Sequence, residues 1–267
     1  DLGLTGNLLF DRLVGADVRL VSPSAYAMIG SDALCAQLEG QLRAEGRRPY
    51  VIPVGGSNQL GAFGYLQFVQ ELLETGGEEG GEGAVAPGAP YDHIVFGCGS
   101  GGTAAGIAIG VLLSPLHGRT MVHAVGVCDS PDVFYEHVRD VAVELGLDPA
   151  LLGDVRSWLK VYEGQGVGYA KSTEEELRFL VQVAQRTGIL LDPVYSGKAL
   201  FHLVNREQKQ GGAVFQRGQR VLFLHTGGGL GLYDKESQLL PLLPPGKVSR
   251  MQLQAPTPSP PSPPASS

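Results

Sequence analysis

Residues 97–102 read Gly-Cys-Gly-Ser-Gly-Gly, four glycines in six positions, between an apolar strand-like run and a helix-like run. Glycines let successive backbone N–H groups turn toward one centre, and a helix start adds its dipole and unpaired donors. Gly99, Ser100, Gly101, Gly102 and Thr103 therefore make a candidate phosphate cradle, with Thr103 able to cap the helix or to hydrogen-bond the same anion. The competing explanation is a tight turn that lets helix and strand pack closely. Gly97-x-Gly99-x-x-Gly102 formally fits a dinucleotide fingerprint. However, Asp129, the acidic residue ending the next strand, comes 27 residues after Gly102, later than that fingerprint prefers. No Gly-Lys-Ser/Thr occurs, which excludes a P-loop nucleotidase.

Two further stretches could share that crevice. "HTGGG" (225–229) places Thr226 and Gly227 at a strand end, and "LDPVYSGK" (191–198) places Tyr195 and Ser196 at another. A threonine hydroxyl can hydrogen-bond a ring nitrogen without forcing its protonation, which suits a pyridine cofactor. Taken alone, Thr226 could equally satisfy a turn, and Tyr195 could be a core aromatic with its hydroxyl at the surface.

These residues need elements to position them. Strand patterns are read at 16–22, 48–54, 92–98, 120–128, at the start of the 189–208 stretch, and at 219–226. Helical patterns are read at 31–46, 55–74, from 103, at 130–146, at 172–188 and after Ser196. Ser31 or Asp32 is placed to cap the first, and Ser57 or Asn58 the second. Ser172 or Thr173 with Glu175 or Glu176 forms a capping box. Alternating strands and helices predict an α/β fold with a mainly parallel sheet covered on both faces and a ligand at the carboxyl ends of its strands. Residues 75–90 are expected to be a mobile glycine-rich insert, and the Pro/Ser-rich stretch from 241 onward a disordered tail.

Composition narrows the class. The 267 residues carry a formal net charge of −7 and no basic stripe, which argues against nucleic acid. No apolar run approaches a membrane span. Cys35, Cys98 and Cys128 are far apart and read as small core residues, with no metal or redox pair. A reducing, intracellular setting follows as the simple expectation. The six histidines show no metal-ligand spacing and are expected to be structural or at the surface.

In order, "VGGSNQLGAFGY", "CGSGGTAAG", "GVGYAKSTEEEL", "LLDPVYSGKA" and "FLHTGGGLGLYDK" resemble the 1-aminocyclopropane-1-carboxylate deaminase/D-cysteine desulfhydrase family of pyridoxal-phosphate enzymes. The resemblance runs from about residue 1 to residue 240 and implies the tryptophan-synthase-β-like fold (fold type II). Residues 1–68 would belong to a smaller α/β domain, 69–243 to the large cofactor-binding domain and 244–267 to the tail. It assigns Gly99–Thr103 to the cofactor phosphate, places Thr226 near the pyridine nitrogen with Ser196 and Gly227 also binding the cofactor, and puts Tyr195 and Tyr169 at the substrate. The deaminase branch has Glu after the tyrosine of "VY-x-GK" and Leu in place of the threonine of "HTGG". Ser196 and Thr226 therefore favour the plant and algal desulfhydrase branch.

The same resemblance exposes a gap. The family's Schiff-base lysine lies early, in an Asn-Lys-x-Arg-Lys stretch followed by Ser-Asn-His, and neither segment occurs here. The lysines are Lys160, Lys171, Lys198, Lys209, Lys235 and Lys247. Lys198 lies close by in "SGK" and is expected to face solvent or a helix start. The expectation is a fragment of an enzyme that converts D-cysteine to pyruvate, ammonia and hydrogen sulfide, working as a homodimer, with a mitochondrial or other organellar address outside these residues. The alternatives are cyclopropane amino-acid deamination, or an inactive chain that only binds cofactor or a partner subunit.

Overall fold

The inner strand β1 (His93–Cys98) is buried at every position, as a strand covered on both faces must be. The computed structural model describes residues 4–75, 91–210, 214–246 and 250–251. Among them, β1, β2 (Met121–Gly126), β3 (Leu159–Glu163) and β4 (Val221–Leu224) form one parallel sheet in the order β3-β2-β1-β4. Even positions of β1 (Ile94, Phe96, Cys98) join the core beneath α4 (Gln59–Thr75), α5 (Gly102–Leu112) and α6 (Pro131–Glu144). The opposite face is covered by α9 (Ser196–Gln210), with α8 (Glu174–Thr187) packed against it.

Local chemistry sets these boundaries. Thr173 and Glu176 form the reciprocal capping box that opens α8, and Gly188 ends it in the left-handed region. Asn58 starts α4 by accepting the Gly61 N–H at 2.9 Å. Helix α5 is apolar on every side because sheet and α4 enclose it. Its close approach to α4 runs through Gly106 and Gly110: a Cβ on Gly106 would lie 2.5 Å from Tyr65, and one on Gly110 2.8 Å from Val69.

Several expected elements differ. Residues 16–22 and 48–54 are not strands, and neither pairs with the sheet. Leu20 is 64% exposed and Ile52 69%. A strand needs a neighbour for its N–H and C=O groups, and alternating apolar residues cannot supply one. Residues 189–192 are likewise no strand, since Gly188 turns the chain and Pro193 has no N–H for a ladder. The pattern left out β3, whose Leu159 and Val161 face inward on an edge strand only five residues long. It also left out α1 (Gly6–Leu13) and α2 (Pro23–Ile29), while α3 (Ser31–Ala44) begins at Gly30 with no side-chain cap. The insert at 76–90 and most of the tail lie outside the described residues, whereas Leu240–Leu242 form a helical turn.

At the amino end of the sheet a polar chain runs under Phe215, buried at His93 and His123 and exposed at Gln216 and Gln219. Gln219 Oε1 accepts from the Gln216 N–H at 2.6 Å and pairs with His93 Nε2 at 2.9 Å. His93 Nδ1 meets His123 Nε2 at 2.9 Å, and His123 Nδ1 meets Tyr162 Oη at 2.9 Å. One direction satisfies every atom: each histidine donates from Nε2, and Tyr162 donates to His123. Burial, then His93 and Lys160, hold the His123 pKa down to about 3. The sign follows directly. The unfolded imidazole takes up a proton near pH 6.5 and the folded one does not, so this stability is complete above that pH and falls as acid is added. By pH 5 the expected loss is about 2 kcal/mol, at about 1.4 kcal/mol per pH unit. Urea unfolding of the wild type and His123→Gln between pH 7 and pH 5 measures it, and equal slopes in the two proteins would refute the assignment.

Candidate active site

Chain order across the sheet defines a crevice. From β1 the chain moves through β2 to β3, then returns to place β4 on the other side of β1. Where strand order reverses, the loops leaving neighbouring carboxyl ends part and leave room for a ligand. Here those loops are 99–103 after β1 and 225–228 after β4, the two glycine-rich stretches.

Three segments converge there. A Cβ on Gly99 would lie 2.8 Å from the Tyr195 ring, so this ring rests on the loop after β1. A Cβ on Gly228 would lie 3.0 Å from the Asp192 carboxyl carbon, so the loop after β4 rests on Asp192. Tyr169 and Tyr195 meet hydroxyl to hydroxyl at 2.6 Å. Burial, then the Tyr169 bond, raise the Tyr195 pKa well above the phenol range, so at neutral pH Tyr195 stays protonated. Thr226 is exposed on the loop, beside Gly227 and Gly228 at φ +99° and +87°. His225 fastens that loop by donating from Nε2 to the Leu190 carbonyl at 2.8 Å and accepting the Gly227 N–H at 3.1 Å.

The cradle has suitable chemistry for a phosphate. Helix α5 starts from Gly101, at φ +94°, with no side-chain cap. The first-turn N–H groups of Gly102, Thr103 and Ala104 have no carbonyl within their own helix, so an anion seated there would satisfy them. Packing also accounts for the glycines. A Cβ on Gly101 would strike the His137 ring at 2.5 Å, and one on Gly102 would lie 3.0 Å from Ser57 Cα. Ser57 donates to the Ser100 carbonyl at 2.9 Å and accepts from His137 Nε2 at 2.8 Å. Burial lowers the His137 pKa, against Asp140 and Glu144, which favours the neutral ring.

Asp192, His137 and the second role of Ser57 were not read from the sequence. Asp192 accepts the N–H groups of Val194, Tyr195 and Ser196 and so starts α9. Its signal was available: an Asp one residue before proline and four before the first helical Ser196. Ser196 is fully buried, and its hydroxyl donates to Asp192 Oδ1 at 2.6 Å. It therefore lies beneath the crevice wall, tied to a carboxylate.

Two expectations are overturned. Lys198 does not face solvent: its side chain is 0% exposed, and Nζ donates to the carbonyls of Gln165, Gly168 and Lys171 at 2.6, 3.1 and 2.7 Å. Glu176 lies 3.7 Å away and balances its charge. An ammonium has three protons, and all three are engaged. Nor are all the cysteines fully buried, although Cys128 packs against the core. Cys98 is buried, but Cys35 and Cys128 are half-buried, and Cys128 Sγ donates to the Gly99 carbonyl at 3.0 Å. Burial, then Asp129, push the Cys128 thiol up to about 12, so it is inert at neutral pH.

A family profile described as "Pyridoxal-phosphate dependent enzyme" matches residues 4–227. The chain belongs to that family. The pyridoxal-phosphate enzymes similar to it include the Arabidopsis thaliana protein named "Bifunctional D-cysteine desulfhydrase/1-aminocyclopropane-1-carboxylate deaminase, mitochondrial". It is 45% identical over 97% of this chain and 60% of its own length. A Serratia proteamaculans D-cysteine desulfhydrase is 34% identical over 88% of this chain and 66% of its own. A crystal structure described as an "ACC deaminase homologue" superposes with a TM-score of 0.71 and 30% identity, over 91% of this chain and 68% of that one. The chain thus spans about three-fifths of the length of the Arabidopsis relative. The fold-type-II architecture expected from the motifs is the one found, and the family's cofactor is pyridoxal phosphate.

Proposed function

We propose that this chain forms the phosphate-binding and substrate-facing part of a pyridoxal-phosphate-dependent D-cysteine desulfhydrase. The overall reaction is D-cysteine plus water to pyruvate, ammonia and hydrogen sulfide. The observation that carries the reading is the convergence of the 99–103 cradle, the Tyr169–Tyr195 pair and the Thr226 loop at the strand-order reversal. Bound pyridoxal phosphate would supply an electron sink for the negative charge left on the substrate α-carbon.

The chain's own residues do the rest. The first turn of α5 and the hydroxyl of Thr103 hold the phosphate, with Gly99, Ser100, Gly101 and Gly102 shaping the cradle. Thr226 and Gly227 edge the pyridine side, and the Thr226 hydroxyl serves a ring nitrogen without a charge. Tyr195 keeps its proton and offers it, with Tyr169, to the substrate's departing or carboxylate end. Ser196 holds Asp192 and so the wall of the crevice. The lysine that takes the α-proton would come from a segment other than those in this crevice.

Several relatives are named for 1-aminocyclopropane-1-carboxylate deamination, which makes it the second reading. The buried Ser196 favours desulfhydration, because a glutamate there would set a second carboxylate against Asp192. We read the working unit as a homodimer, consistent with the apolar Met28, Tyr50 and Phe63 left exposed at 82%, 76% and 57%. The mitochondrial label of the Arabidopsis relative supports an organellar site, and no helix among the described residues is long and apolar enough to cross a membrane.

The test is titration of the chain with pyridoxal phosphate, read by absorbance and fluorescence. Saturable binding that inorganic phosphate displaces is expected. Binding that phosphate does not displace, or none at all, would sink the cradle assignment.

A further inference from the structure

We propose that Lys198 and Lys235 are positioning residues that hold the 164–171 loop so that the Tyr169 phenol meets Tyr195. The inference rests on the reading above that the two tyrosines face the substrate, and it adds what places them there.

Tyr169 cannot place itself. It is 51% exposed, so burial holds it weakly, and its loop carries Gly164, Gly166 and Gly168. Gly166 and Gly168 have φ of +59° and +128°, and Ala170, next to Tyr169, has φ +57°, which residues other than glycine rarely adopt. A segment of this kind samples many conformations unless its backbone is tethered. The tethers are two ammonium groups from elsewhere in the fold.

Lys198, from α9, sends its three protons to the carbonyls of Gln165, Gly168 and Lys171, which lie on both sides of Tyr169 in sequence. Lys235 donates to the carbonyl of Ala170, the strained residue next to Tyr169, at 2.8 Å. A lysine kept only to pair with Glu176 would need one contact. Three carbonyls of a single loop, with Glu176 as far as 3.7 Å, point to the loop as the group being held. Lys198 also lies three residues after Tyr195 on the helix that Asp192 starts, so one element carries one tyrosine and grips the loop of the other.

The experiment uses the full chain with tyrosine labelled by carbon-13 at Cζ, without cofactor or substrate. Tyr169→Phe and Tyr195→Phe assign the two resonances, and Tyr169→Phe also gives the position of Tyr195 without its partner. In Lys198→Met with Glu176→Gln, the Tyr195 resonance is expected at that partnerless position, while the other tyrosines keep theirs. Lys235→Met is expected to move it in the same direction, and to move it no further once Tyr169→Phe is present. A merely structural role would disturb other tyrosines or add to Tyr169→Phe. Should the double variant not fold, Lys235→Met decides alone. A Tyr195 resonance unmoved in Lys235→Met, or additive shifts, would overturn the proposal. Because no cofactor is present, failure here is separate from failure of the phosphate titration.

Discussion

Gly102→Asp is expected to weaken pyridoxal phosphate binding by about 10²–10³-fold, on the scale of several kcal/mol for like charges set side by side. Gly102 is the first residue of α5, buried, and in an ordinary helical conformation, so the change introduces no left-handed strain. Gly101 would be a poorer choice, because at φ +94° and against His137 any side chain disturbs the turn itself. A Cβ at position 102 lies 3.0 Å from Ser57 Cα and 3.1 Å from its Oγ, which is tight but asks for only a small shift. Gly102→Ala makes that same contact without the charge and so isolates it. The expected result is near-normal affinity in the alanine variant and loss in the aspartate variant. Equal affinities would remove the phosphate from this helix end.

Mixed with pyridoxal phosphate and D-cysteine, the 267-residue chain is expected to release hydrogen sulfide no faster than the cofactor alone. A positioned base contributes about 10²–10⁴ in rate, and Lys160, Lys198 and Lys235 each spend their ammonium on backbone carbonyls. Lys198, three residues after Tyr195, has committed every proton to backbone carbonyls. Burial lowers its pKa, which favours a neutral amine, but Glu176 opposes that and the carbonyls can accept only while protons remain. Lys160 donates to the Arg156 carbonyl and Lys235 to that of Ala170. Borohydride reduction with pyridoxal phosphate, peptide mass mapping and a sulfide assay read this together, with the Arabidopsis relative as the active reference. Stoichiometric label on Lys198 accompanied by turnover would make it the catalytic lysine and reverse this reading.

The legible and illegible parts of the site differ in a physical way. The cradle, Thr226 and the two tyrosines could be singled out because each lies in a local run that matches a family motif, and the structure brings those runs to one crevice although each had a bland explanation taken alone. The sheet strands at 93–98 and 121–126 were legible because both of their faces are buried, and 221–224 because all four of its residues are apolar although it is only partly buried. By contrast, 16–22 and 48–54 look like strands by residue type, but strand formation is decided by a neighbour, which a local pattern does not contain. Lys198 is the instructive case. Next to glycine at a helix start it reads as a surface cation, and only the return of the 164–171 loop over α9 makes it the buried centre of three hydrogen bonds. Likewise His137 lies 80 residues from Ser57, and no spacing rule connects them.

The glycines of α5 have a consequence for how the molecule folds. Gly106 and Gly110, four residues apart, let α4 lie against the helix, yet each weakens an isolated helix by about 1 kcal/mol relative to alanine. An eleven-residue segment with that handicap has little helical order in water before it docks. Its structure is lent to it by α4 on one side and the sheet on the other. The anion-binding end of α5 therefore comes into existence only as this sandwich closes, which makes it a late event in folding. Loosening at the α4 contact would erase the site before the rest of the sheet had begun to melt.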